Sequence, residues 1–103
     1  MATHYRPNLR LCWFIRAIHM QPYQQNFIAL GFSKFNIEYQ WDFVEVWDGN
    51  STSPTTSNLL GTFSGFEYEW LPPPLVSSGS ELLVIFTSDE SRGKPGFLAH
   101  ASI

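Results

Sequence analysis

Cysteine is almost absent from this chain. Cys12 stands alone among 103 residues, so no disulfide can form within it. A lone cysteine ordinarily behaves as a small apolar side chain. A catalytic thiol would need a poised imidazole, and His4, His19 and His100 are scattered at spacings that offer none. Basic residues are also few. Arg6, Arg10, Arg16 and Lys34 are the only charges before position 38, and from Glu38 to Glu90 the chain carries acids without one Lys or Arg. That distribution lacks the clustered positive charge needed to displace counterions from phosphates and excludes nucleic acid as a partner. It points instead toward cations or cationic partners. No run approaches the ~20 apolar residues that cross a bilayer, so direct membrane insertion is excluded on that count. The opening MATHYRPNLR contains no apolar stretch resembling a signal peptide. It leaves two expectations, a cytosolic protein or a chain whose secretion signal lies upstream.

Helix signals are nearly missing as well, and what remains is β-rich. Residues 11–18, 26–32, 43–47, 59–63, 82–87 and 97–102 form short runs of β-branched, aromatic and aliphatic residues, separated by Gly, Pro, Ser, Thr and Asn. This is the pattern of an all-β sandwich or barrel in one domain. Period-two alternation places Phe43, Glu45 and Trp47 on one strand face and Val44 and Val46 on the other. The continuous apolar run at 82–87 predicts a central strand covered on both faces, or packed on one face and shielded by a loop on the other. Asp48-Gly49-Asn50 is a strong turn signal, followed by a polar loop. Pro72-Pro73-Pro74 reads as a rigid loop spacer.

Taken in order, Cys12-Trp13-Phe14-Ile15, FIALGFSKF at 27–35, WDFVEVWDG at 41–49, LLGTFSG at 59–65, SSG at 77–79, LLVIFTSDES at 82–91 and GFLAH at 96–100 closely resemble the CUB domain. Within that family, IEYQWD followed by VEVWDG is most similar to the CUB domains of attractin and multiple-EGF-like-domain proteins. The resemblance implies a jelly-roll-like antiparallel β-sandwich over residues 5–103, with residues 1–4 disordered. It also implies a non-catalytic protein-interaction module, extracellular or in the ectodomain of a membrane protein.

Departures from the family pattern carry their own implications. Typical relatives begin with a cysteine and further strands before the tyrosine that Tyr5 matches, and that region is absent here. By the resemblance Cys12 is the second family cysteine, so its disulfide partner lies outside the chain. The third and fourth cysteines fall at Tyr39 and Ser64, which removes the second disulfide. Losing a native disulfide from a small secreted domain typically costs ~2–5 kcal/mol. Either core packing compensates, burial of Trp13, Trp41 and Trp47 contributing, or the chain is less stable than its relatives; the alternative is an intracellular descendant freed of its disulfides.

The same resemblance implies a Ca²⁺ site at Glu38, Asp42 and Asp89, with Ser91 as a further ligand. The chemistry is consistent, because Ca²⁺ takes six to eight oxygen donors. If the strands flanking Asp42 and Asp89 run antiparallel, both carboxylates emerge at one end of the sandwich. Calcium-binding relatives receive a lysine of the partner protein at these acids. The competing reading has Asp42 and Asp89 as turn residues and Glu38 solvated.

Two surface features complete the reading. Asn50-Ser51-Thr52 is an N-glycosylation sequon on a turn. Residues 65–70 alternate aromatic and acidic side chains, either as an edge strand or as an exposed loop in which Phe66, Tyr68 and Trp70, with Trp41, contact a partner. The alternative function is carbohydrate binding, with Trp70, Tyr68 or Trp47 stacking on sugar rings. Glu67 and Glu69 resemble a glycosidase pair only in composition, since alternation sets them on one exposed face without a cleft. The protein is therefore expected not to be an enzyme.

Overall fold

The computed structural model describes residues 5–17, 27–49, 58–65, 71–90 and 94–102. These form seven strands: β1 (Arg10–Arg16), β2 (Ala29–Asn36), β3 (Phe43–Asp48), β4 (Leu59–Phe63), β5 (Leu75–Val76), β6 (Glu81–Thr87) and β7 (Gly96–Ser102). One sheet has the order β1-β6-β3-β4 and the other β5-β2-β7, with every pairing antiparallel. The two sheets share one core, as the period-two pattern requires of a sandwich.

Strand β6 is that core's spine. Its neighbours are β1 and β3, and Leu82, Val84 and Phe86 point inward, buried. They meet Val44 and Val46 from β3, and Ile28, Leu30, Phe32, Phe35 and Ile37 from in and around β2. Ile85 and Trp47 are buried on the opposite face of the same sheet, which explains the unbroken apolar run. Phe97 joins Phe32, Phe35 and Phe86 in an edge-to-face and tilted aromatic cluster with ring centroids 5.5–6.2 Å apart.

Strand β2 extends beyond the expected 26–32. The inward set 28, 30, 32 breaks phase at Ser33, and a bulge between Phe32 and Lys34 brings Phe35 back toward the core. One extra residue in a ladder shifts the pleat by one, so an apparent end of alternation is here a continuation. Strand β5 follows the three prolines, at a position where local pattern gives no strand signal. Two residues suffice because Ala29 and Leu30 supply the ladder opposite Val76 and Leu75.

Turn chemistry is as expected after β3. Gly49 takes φ +99, and the Asp48 carboxylate accepts the Ser78 N–H at 3.0 Å, tying that turn to the one preceding β6.

Candidate functional site

Three carboxylates converge at one end of the sandwich. The β3–β6 register pairs Phe43 with Thr87, so Asp42 just precedes one strand where Asp89 follows the other. Glu38 joins them through a tight turn in which its carbonyl accepts the Trp41 N–H at 3.3 Å and the Asp42 N–H at 3.0 Å. One carboxylate oxygen from each of Glu38, Asp42 and Asp89 lies within 4.8 Å of the others.

Asp42 is the fixed member of the three. Only 1% exposed, it accepts the Asp89 backbone N–H at 2.9 Å through Oδ1 and the Tyr5 hydroxyl through Oδ2. Tyr5 also accepts the Glu38 backbone N–H at 3.1 Å, so a single phenol bridges two of the acids. Burial first, and then the hydrogen bond to Asp42, holds the Tyr5 hydroxyl protonated well above the ordinary phenol range, while the Glu38 amide pulls the other way. The segment leading into β1 is held against the site by its backbone. Asn8 N–H donates to the Asp89 carbonyl at 2.7 Å, and the buried Ser88 hydroxyl donates to the Arg6 carbonyl and accepts the Leu9 N–H.

Ser64 clamps the Glu38–Asp42 turn from the other side. Its hydroxyl accepts the Gln40 N–H at 2.8 Å and donates to the Glu38 carbonyl at 3.1 Å. Gln40 needs that support, because it sits in the left-handed region at φ 68, uncommon for a side-chain-bearing residue. The position where the family pattern carries a cysteine thus ties down the same turn with two hydrogen bonds.

The structure treats the remaining expected residues unevenly. Trp41 is 64% exposed on the turn beside the acids, with Tyr39 at 58%. Trp41 and Trp13 therefore do not supply the burial expected to offset the missing disulfide. Trp41 lies on a surface turn, and Trp13, on the edge strand β1, meets Phe97 of the second sheet with ring centroids 5.8 Å apart yet stays 43% exposed. Trp47 alone is buried, at 6%, its indole N–H 3.4 Å from Glu45, so it offers no face for a sugar. Cys12 is exposed and free. Ser91, Asn50, Phe66, Tyr68 and Trp70, like residues 1–4, lie outside the described residues.

A Ca²⁺ ion fits the donor set. The three oxygens are hard ligands at mutual distances compatible with a shared cation, and Asp42 uses only two of the roughly four lone-pair sites a carboxylate offers. Tyr5 and Ser64 had no sequence signal of their own role. Their partners lie 33–37 and 24–26 residues away, and only the tertiary fold brings them together.

No helix among the described residues is long and apolar enough to cross a membrane. The chain is similar to Sus scrofa cubilin, 38% identical over 102 residues that make up 92% of this chain and 2% of that protein. It is also similar to Gallus gallus neuropilin-1, 36% identical over 97 residues, 90% of this chain and 10% of the relative. A third relative is Caenorhabditis elegans zinc metalloproteinase nas-39, 33% identical over 101 residues, 94% of this chain and 10% of the relative. Among solved structures, the CUB1-EGF-CUB2 domain of human MASP-1/3 superimposes with a TM-score of 0.74 at 28% identity, covering 95% of this chain and 36% of that one. The chain spans a small fraction of these curated relatives, and the CUB domain model matches residues 2–100. With that match and these relatives, the chain belongs to the CUB domain family, whose domain is a non-catalytic module.

Proposed function

We propose that this domain is an extracellular protein-interaction module that uses Glu38, Asp42 and Asp89 to hold Ca²⁺ and to receive a lysine side chain of a partner protein. The observation that carries this reading is the convergence of three carboxylates within 4.8 Å around the almost fully buried Asp42. Bound Ca²⁺ supplies positive charge that offsets their mutual repulsion. The chain's own residues do the orienting. Tyr5 and the Asp89 amide hold Asp42 in one rotamer, and Ser64 with the Glu38 carbonyl fixes the turn that presents Glu38.

A lysine ammonium suits what remains exposed. Glu38 and Asp89 are partly exposed, and Trp41 and Tyr39 stand on the adjoining turn as aromatic surface for the alkyl stem. A single contact of this kind is weak and salt-sensitive, so affinity grows by multivalency in a longer protein. The relatives' lengths accord with that setting. Asn50 is proposed as a glycan attachment site in the secreted protein, and Ser91 as a further Ca²⁺ ligand.

Calcium titration against EGTA, followed by thermal unfolding, tests the metal step. Ligand at 100 times its Kd stabilises by about 2.7 kcal/mol, and Glu38→Gln and Asp89→Asn should lose that gain. An identical melting curve with and without millimolar Ca²⁺ refutes the site. The lysine step is read by binding of an immobilised lysine-bearing peptide, which should vanish in EGTA and in high salt.

A further inference from the structure

The turn that presents Glu38 and Asp42 carries more than charge. Trp41, at 64%, is the most exposed large apolar side chain among the described residues, and Tyr39 on the same turn stands at 58%. Each ring is the chain neighbour of one acid, since Tyr39 follows Glu38 and Trp41 precedes Asp42. Single exposed apolar residues need no explanation. Two large aromatics set one residue apart, beside three converging carboxylates, do.

The backbone beneath the rings is already held in place. The Glu38 carbonyl accepts the Trp41 N–H, the Asp42 N–H and the Ser64 hydroxyl, while that hydroxyl accepts the Gln40 N–H at 2.8 Å. Gln40, between the two rings, sits at φ 68, a conformation that persists only where its surroundings over-determine it. A turn fixed in this way gives up little further backbone freedom when a partner docks, so the gain from covering its rings is not offset by ordering a loop. Magnitudes then separate the work of the acids from that of the rings. An exposed ion pair changes an affinity by about fivefold at most. A tryptophan or tyrosine anchor covered at an interface commonly accounts for about thirtyfold or more.

Resting on the reading of Glu38, Asp42 and Asp89 as a lysine-receiving site, we infer that Trp41 and Tyr39 are its specificity-determining residues, selecting a lysine whose immediate neighbour in the partner is a bulky apolar side chain. The lysine stem covers part of the aromatic surface, and the neighbouring side chain covers the rest. Charge and apolar contact are thus read together from one short segment of the partner. The carboxylates favour this occupant over a sugar. Even with Ca²⁺ in place, its two positive charges fall one short of the three carboxylates beside the rings, and an uncharged sugar brings nothing to offset the remainder.

The test uses the whole chain in millimolar Ca²⁺ against immobilised synthetic peptides that differ at one position, a lysine flanked by phenylalanine, leucine or glycine in an otherwise glycine–serine sequence. Binding to the phenylalanine and leucine peptides should be at least about tenfold tighter than to the glycine peptide, and should be lost when glutamine replaces the lysine. Trp41→Ala combined with Tyr39→Ala, checked for folding by near-UV circular dichroism, should bring the three lysine peptides to within about twofold of one another. Trp41→Phe should retain part of the preference. Should the double variant not fold, the ratio measured on the wild-type chain decides the matter. A wild-type chain that binds all three lysine peptides equally overturns this inference and leaves the acidic site standing, as does a preference that survives in the folded double variant. A chain that binds none of them overturns both. Binding of an uncharged oligosaccharide that requires Trp41 and persists in EGTA assigns the rings to sugar and overturns the inference as well.

Discussion

The Asp42 end of the sandwich and the β1 edge satisfy their exposed groups in opposite ways. Around Asp42, polar atoms belonging to four separate segments are joined to one another. Tyr5 bridges Asp42 and the Glu38 amide, Ser64 closes the turn, and Ser88 ties down the chain at Arg6 and Leu9. Along β1, backbone groups and apolar side chains face outward together. The difference teaches where each region keeps its energy. A buried carboxylate tolerates no loss of a partner, because an unpaired polar group forfeits its hydration without return. An exposed apolar edge tolerates substitution singly and makes its contribution only when something covers it.

The largest effect should come from Asp42→Ala, which orphans the Tyr5 hydroxyl and the Asp89 amide together. A loss of about 3 kcal/mol in chemical denaturation is expected, since each buried unsatisfied group costs about 1–3 kcal/mol. Tyr5→Phe keeps the ring on Phe86, 4.8 Å away, and removes only the hydroxyl. It should cost about 2 kcal/mol, in the range of a hydrogen bond to a charged group. Ser64→Ala should cost about 1 kcal/mol in urea denaturation and weaken Ca²⁺ binding through Glu38, whereas Ser64→Thr, retaining the hydroxyl, should keep most of both. At the small end, Phe14→Ser on the edge should change monomer stability by no more than about 0.5 kcal/mol. If Phe14→Ser unfolds the chain as readily as Asp42→Ala, the contrast between the two regions fails.

Alkaline pH probes the same contrast. The folded state holds the Tyr5 proton more tightly than the unfolded chain, where a tyrosine ionises near 10. Stability from this group is complete below pH ~10 and falls as pH rises above it, because the unfolded state releases a proton that the native state retains. Tyr5→Phe should flatten that fall, and the difference between the two alkaline unfolding profiles measures it. A parallel decline in both would place the lost stability elsewhere.

Much of the architecture was legible from residues alone. The range Leu59–Phe63 agrees with its strand, and the continuous run at 82–87 predicted a central strand that β6 supplies. The face assignment of Val44 and Val46 likewise holds, both being buried. Elements defined by their partners were harder. Strand β5 exists only because Leu75 and Val76 lie against β2, and β2 continues past Ser33 through a bulge that no local pattern announces. Trp13 and Trp41 show the same limit, since hydrophobic character sets how strongly a side chain prefers burial without deciding whether another layer reaches it.

At the acidic site, the spacing of Asp42 and Asp89 at the ends of two strands made their meeting conditional on antiparallel pairing, and the β3–β6 ladder meets that condition. All three acids, Glu38 included, are implied as a site by the family resemblance. The sequence aligns Tyr5 with a family tyrosine and Ser64 with a family cysteine, and neither match carries a role at the acids. By itself the sequence determined the all-β class, the inward faces of its long strands and the acidic character of one region, because alternation and charge are properties of neighbouring residues. Tertiary structure alone decided that one phenol bridges two acids, that a serine clamps the turn where family members carry a cysteine, and that Trp13 and Phe14 on β1 stay half-exposed. Those outcomes depend on ladder register and sheet order, which join residues tens of positions apart.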